Sequence, residues 1–303
     1  MGPSTRIVSV FGATGLQGSA VARALLKEGT FAPRAITRNP ESAAALKLKA
    51  EGIEVVRGDA LDKVSLVAAL RGSEAVFGVT VPIFPMSAEG PNEIVQGKNM
   101  VDAAKEAGVK FFIFSSLPNM TQLSGGKYTN VLHFDQKAVV EEYLKSSGLV
   151  NVSLHFGMFL ENYWAFGWLK KTATGKFDLN VPNVPTDRQA FSWVGRDVPA
   201  VVLALLKNYP DASKRISGKT YPIVSENVSY GELATLTGKV LGAEVTFTTA
   251  PPLGITGLDE MYQALGEYNG IFPGTPVSDF DALGVKISTL KEFLEAEVKP
   301  RFG

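Results

Sequence analysis

Three glycines, Gly12, Gly15 and Gly18, stand three residues apart between an apolar run, Ile7-Val8-Ser9-Val10-Phe11, and a helical pattern carried by Leu16, Val21, Ala24 and Leu25. The order is strand, glycine-rich turn, helix. Such a turn does its chemistry with the main chain. Gly12 permits the tight turn, Gly15 leaves the backbone bare for a diphosphate to approach, and Gly18 lets the helix pack close to the strand. The first amides of a helix lack intrahelical partners and carry the positive end of its dipole, so Thr14, Leu16 and Gln17 complete an anion site. The spacing is G-x-x-G-x-x-G in place of the commoner G-x-G-x-x-G, and in this context it predicts a dinucleotide cradle.

A second apolar run, Ala32 to Thr37, ends in Arg38-Asn39-Pro40. In a dinucleotide fold this strand end meets the adenosine ribose, where an acidic residue would repel a 2′-phosphate. Arg38 stands there instead. A guanidinium can fork onto phosphate oxygens and stack on adenine, which favours NADP(H) over NAD(H). A third run, Ile53 to Arg57, closes with Gly58-Asp59-Ala60-Leu61; Asp59 either accepts from the adenine amino group or caps the next helix, for which Asp62 is better placed. The fourth run, Ala75 to Val81, brings Thr80 beneath the cofactor, and residues 83–90 read as a loop over the site.

The fifth run, from Lys110, ends in Ser115-Ser116. Beyond a loop comes His133-Phe134-Asp135-Gln136-Lys137, the start of a helix on which His133, Lys137, Val140 and Leu144 share one face and Glu141, Glu142 and Lys145 the other. Lys137 thus lies along the apolar stripe. It either finds a partner there, a ribose hydroxyl or a carbonyl, or snorkels from the stripe edge. Asp135 supports the first turn of this same helix rather than transferring protons.

Five strands alternating with helical patterns argue an α/β fold: a Rossmann-type, doubly wound parallel sheet of order 3-2-1-4-5-6, with a smaller α/β C-terminal lobe. The expected division is residues 1–154 plus 191–224 for the nucleotide-binding domain and 155–190 plus 225–303 for the small lobe. Asn151–Leu154 is the sixth strand, Lys219–Val224 returns to the first domain, and Ser229-Tyr230-Gly231-Glu232 has capping-box spacing. Apolar residues make up 45% of the 303, enough for a sizeable core. Thirty basic and thirty acidic residues cancel, which argues against direct nucleic-acid or membrane binding. No cysteine is present, so disulfides and thiolate chemistry are excluded. The two histidines, His133 and His155, make no metal-binding pair, so no metal is expected. With no apolar run of membrane length and no visible signal peptide, a cytoplasmic protein is expected, or a nuclear one if it is regulatory.

The glycine triplet, T-R-N-P, G-D-A-L, the strand ending S-S and H-F-D-Q-K-A-V-V-E-E-Y-L together resemble the NmrA-like family of atypical short-chain dehydrogenases/reductases. The resemblance covers most of the chain and weakens after about residue 225. It implies an NADP(H) cofactor. Ordinary members of the superfamily use a tyrosine and a lysine four residues later; here His133 occupies the tyrosine position and Lys137 is kept. The resemblance makes both catalytic candidates, with imidazolium as a proton donor and Ser115 or Ser116 on a substrate oxygen. His133 could equally satisfy backbone groups at the helix start. By the same resemblance, the segment from His155 to Trp168, with seven aromatic or histidine side chains, passes the nicotinamide at Phe156 and lines a substrate cavity with Phe159, Asn162 and Trp164, or else packs between domains. Two functions are implied. One is an NADP(H)-sensing regulator with a protein partner; the alternative is an NADPH-dependent reductase of an aromatic or unsaturated small molecule.

Overall fold

The computed structural model describes residues 6–182, 188–268, 270–272 and 278–303. The parts of the expected domains at 1–5, 183–187, 269 and 273–277 lie outside these. The first half alternates strand and helix: β1 (Arg6–Val10), α1 (Leu16–Glu28), β2 (Phe31–Thr37), α2 (Ala43–Ala50), β3 (Glu54–Arg57), α3 (Lys63–Leu70), β4 (Ser73–Val79), α4 (Glu93–Glu106), β5 (Phe111–Ser116), a short α5 (Met120–Leu123), α6 (Leu132–Ser146) and β6 (Val150–Phe156). After them come β7 (Met158–Phe159), α7 (Asn162–Ala165), β8 (Leu169–Lys171), β9 (Phe177–Pro182), β10 (Gln189–Ser192), α8 (Val194–Asn208), β11 (Lys219–Ile223), β12 (Glu226–Val228), α9 (Tyr230–Leu241), β13 (Val245–Ala250), α10 (Thr256–Glu267), α11 (Leu290–Phe293) and α12 (Lys299–Phe302).

The main sheet is parallel throughout, in the order β11-β6-β5-β4-β1-β2-β3. This is the expected 3-2-1-4-5-6 arrangement with β11 added beyond the sixth strand. Alternation along each strand divides the core in two. Val8, Val10, Phe111, Ile113 and Leu154 pack under α1 and α8. Val76, Phe112 and Phe114 pack under α3, α4 and α6 through Leu66, Met100, Val101, Val140 and Leu144.

On this second face, two features fix where α4 begins and how near it comes to α6. Asn92 caps α4, its side chain accepting from Ile94 and Val95 amides, so the helix begins at Glu93. One turn later a Cβ on Gly97 would stand 2.3 Å from a Val140 methyl. Only glycine allows α4 and α6 to lie this close, and the closeness carries Glu93 toward Lys137.

The rest of the chain forms two three-stranded sheets, β12-β10-β7 and β13-β9-β8, around Tyr163, Trp168, Leu179, Phe191, Tyr230 and Phe293. Glu161 caps α8 from outside, accepting from the Gly195 amide at 2.6 Å and the Val194 amide at 3.3 Å. Asp197, in the first turn of that helix, ties it to two later segments through Ser225 (2.8 Å) and Ser288 (2.6 Å). The capping box of Ser229 and Glu232 starts α9 as its spacing indicates.

Candidate cofactor and active site

The glycine turn has the geometry its spacing implies. Gly12 takes φ +60°, and a Cβ there would meet Val79 at 2.6 Å. A Cβ on Gly18 would fall 2.4 Å from the Gly12 carbonyl oxygen, so helix and turn touch through bare backbone. Thr14, Gly15 and Leu16 are exposed. Gly15 is the N-cap of α1, with no side-chain cap and no acidic residue in the first turn. The amides of that turn therefore meet neither a capping oxygen nor a neighbouring carboxylate, which suits a diphosphate. Ser115 donates to Gln17 Oε1 at 2.8 Å, joining the end of β5 to the start of α1.

Arg38 is exposed just past β2 and has no partner among the described residues. At the end of β3, the Asp59 carboxylate accepts from the Leu61 amide at 2.9 Å, whereas Asp62 caps α3. The Ala60 carbonyl is held by Asn99 at 2.9 Å.

The end of β4 carries a buried charge cluster. Lys137 and Glu93, 8% and 0% exposed, form an ion pair. The Lys137 ammonium also donates to Thr80 Oγ1 at 3.1 Å and to the Thr80 carbonyl at 3.3 Å. Thr80 Oγ1 in turn donates to Glu93 Oε2 at 2.5 Å. The partner required of a lysine on the apolar stripe is thus Glu93. An ammonium has three hydrogens, and three acceptors use them. Burial pushes the Lys137 pKa down from its ordinary value while Glu93 opposes that. Glu93 Oε1 is buried with no hydrogen-bond partner among the described residues.

His133 is not the imidazolium that a proton donor requires. Burial, with the nearby Lys137 charge, lowers its pKa to about 4. Its Nε2 lies 3.3 Å from Met261 Sδ and its Nδ1 is buried without a partner among the described residues. Asp135, expected to support the first turn of its own helix, supports that of α5 instead, accepting from the Met120 and Thr121 amides.

Other expectations need correction. Ser116 is fully buried, and its hydroxyl points to the Lys137 carbonyl at 3.4 Å, not into a pocket. Successive residues of β5 face opposite sides, so Ser115 and Ser116 cannot share one site. Trp164 stacks on Phe293 with centroids 5.8 Å apart and lies under the Arg301 guanidinium at 4.2 Å, packed against the second core. Asn162 is buried at the start of α7, and Phe156 belongs to the main core. Phe159, like Trp164, is half-buried, and it lies edge-on to Phe156 at 6.1 Å. Glu141 is not on a solvated face. It accepts from Thr220 at 2.7 Å and pairs with His155 (2.7 Å) and Lys145 (2.9 Å). Burial alone would raise its pKa; His155, with hydrogen bonds from Ser116 and Lys145, outweighs that and holds it at about 2.

Residues 4–294 match the NmrA-like family. The chain belongs to the NmrA-like family. Among relatives of this NmrA-like chain, an NmrA-like family domain-containing oxidoreductase of Aspergillus hancockii is 40% identical over 48% of this chain and 44% of its own length. The matched part is thus less than half of that relative. Among solved structures, NmrA, a negative transcriptional regulator, in complex with NADP superposes with a TM-score of 0.78 at 21% identity, over 99% of this chain and 97% of the other. An NADPH-dependent quinone oxidoreductase of Escherichia coli, complexed with NADPH, gives 0.70 at 26% identity, over 95% and 99%.

Sequence reasoning passed over Glu93 in this NmrA-like site. The one local signal was Asn92-Glu93, an N-cap followed by a carboxylate in the first turn, which reads as a solvated helix start. Its partner lies 44 residues away. Among the described residues no cluster of metal-ligating side chains occurs, and no helix is long and apolar enough to cross a membrane.

Proposed function

We propose that this chain is an NADP(H)-dependent oxidoreductase whose hydride acceptor needs no acid from the protein. The observation that carries the reading is the uncapped start of α1 over the bare Gly12–Gly18 turn, with Arg38, which has no partner among the described residues, one strand away. The turn's amides would hold the diphosphate, and Arg38 would answer the 2′-phosphate. The likeness to the NADPH-bound quinone oxidoreductase supports the same cofactor. When bound, NADPH supplies a hydride from its nicotinamide.

The acceptor class follows from what the two catalytic candidates can do. His133 is neutral above about pH 4, and each hydrogen of Lys137 already has an acceptor. A simple ketone needs a proton as hydride arrives, and a positioned acid is worth ~10²–10⁴-fold there. A quinone does not: hydride addition yields a stabilised hydroquinone anion that takes its proton from water. A conjugated cation gains a hydride to become a neutral molecule. These acceptors suit the site.

The test is NADPH oxidation followed by absorbance with a panel of quinones, conjugated cations and simple ketones. Consumption with the first two classes and not the third is expected. A preference for ketones would overturn the acceptor class, and consumption with none would favour the second reading. That reading is a nicotinamide-sensing regulator, supported by the bonded Lys137 and the neutral His133, which leave no free acid at the positions where the superfamily places its catalytic pair.

A further inference from the structure

We propose that Glu93 is a positioning residue of this site: its buried carboxylate keeps the Lys137 ammonium charged and pins it to the end of β4, so that a fixed positive charge stands at the nicotinamide end of the cleft. The placement rests on the proposed cofactor reading; the pairing itself rests on geometry alone. Glu93 is fully buried, at a point that α4 reaches because Gly97 allows contact with Val140. Its Oε2 receives hydrogens from both Lys137 and Thr80, closing a three-membered ring of contacts.

Burial disfavours the charge, and Glu93 is the one counter-charge among the described residues that opposes it. The charged and titratable groups facing Lys137 are Glu93 from α4 and His133 one turn back on α6. β4 offers only the neutral oxygens of Thr80. From β5, Ser116 meets the helix backbone rather than the ammonium. A lysine this deeply placed would lose its proton readily without a counter-charge, and an opposite charge at contact is worth about one to three pH units. Gln136 and Gln96 hold the surroundings in register: Gln136 accepts from the Glu93 amide at 3.1 Å, and Gln96 clasps both backbone groups of Val81. So Glu93 is fixed at its amide as well as at its carboxylate.

The experiment reads the proton on Lys137 directly, without turnover. Protein labelled with ¹³C-lysine is titrated by NMR, the Lys137 Cε signal being assigned by its loss in K137M. In the wild type the signal is expected to report a charged amine at about pH 8. In E93Q its midpoint is expected to fall by about one to three pH units, and E93D to restore most of that. An E93Q midpoint equal to the wild-type value overturns the proposal. Should E93Q fail to fold, the wild type decides alone: a Lys137 already neutral at about pH 8 overturns it, and a charged one supports it. NADPH affinity measured on the same samples by fluorescence separates the two layers. If the wild type does not bind NADPH, the cofactor reading falls while the NMR result still stands. If binding occurs and its alkaline limit moves with E93Q, the charge is placed where proposed; an unmoved limit removes it from the cofactor site.

Discussion

Replacing Arg38 with alanine isolates the contribution of one guanidinium to cofactor choice. Arg38 is exposed and has no partner among the described residues, so the change removes no contact of the folded protein. Surface changes of this kind alter stability by about ±0.5 kcal/mol or less, so the melting temperature is expected to hold. The loss should appear only when a 2′-phosphate is present. A charge-assisted hydrogen bond contributes about 1.5–3 kcal/mol, which corresponds to roughly a 10- to 150-fold weaker NADPH affinity. NADH, which lacks that phosphate, is expected to bind within about twofold of the wild type, since no bond is lost. Isothermal calorimetry with both nucleotides reads the two numbers side by side. Equal losses for NADPH and NADH, or none for either, would refute the assignment of Arg38 to the phosphate.

Gly15→Val should abolish nucleotide binding while leaving the fold intact, because Gly15 is exposed with extended backbone; unchanged affinity would contradict the turn's role. Gly18→Ala should instead destabilise by about 1–3 kcal/mol, since the added Cβ meets the Gly12 carbonyl and adjoining backbone, and a denaturant midpoint equal to the wild type would speak against that contact. Lys137→Met should cost about 3–5 kcal/mol by stranding a buried carboxylate, with most of that recovered in E93Q/K137M; additive losses would mean that the two side chains are not coupled. Glu141 has a folded pKa of about 2 against an ordinary 4.5, so its stabilisation is complete above about pH 4.5 and fades as pH falls toward 2. That contribution is about 3 kcal/mol, and Glu141→Gln should flatten the acid limb of the stability curve in urea melts at several pH values.

What the sequence displays well is whatever is decided by near neighbours. The Gly12–Gly18 turn, the Ser229–Glu232 capping box and the parallel strands with their intervening helices all depend on residues a few positions apart. The alternation of Ser115 and Ser116 was also legible, since one of the two had to face α6. The aromatic segment was ambiguous for a physical reason: Trp164 and Phe159 differ in whether Phe293 and Arg301, more than a hundred residues on, arrive to cover them. β7, β10 and β12 are two to four residues long and are defined by distant pairing, such as Gln189 with Val228, which no local pattern announces. The Glu93–Lys137 pair belongs to the same class. Lys137 on its apolar stripe called for a partner, but nothing local named Glu93; the close approach at Gly97 and Val140 makes them partners.

The most direct test of the cofactor assignment is a crystal structure of the protein soaked with NADPH. Density for the diphosphate over the Gly12–Gly18 turn, with the 2′-phosphate at Arg38 and the nicotinamide near Thr80, is the expected result. An empty turn, or a nucleotide bound elsewhere on the molecule, would contradict it.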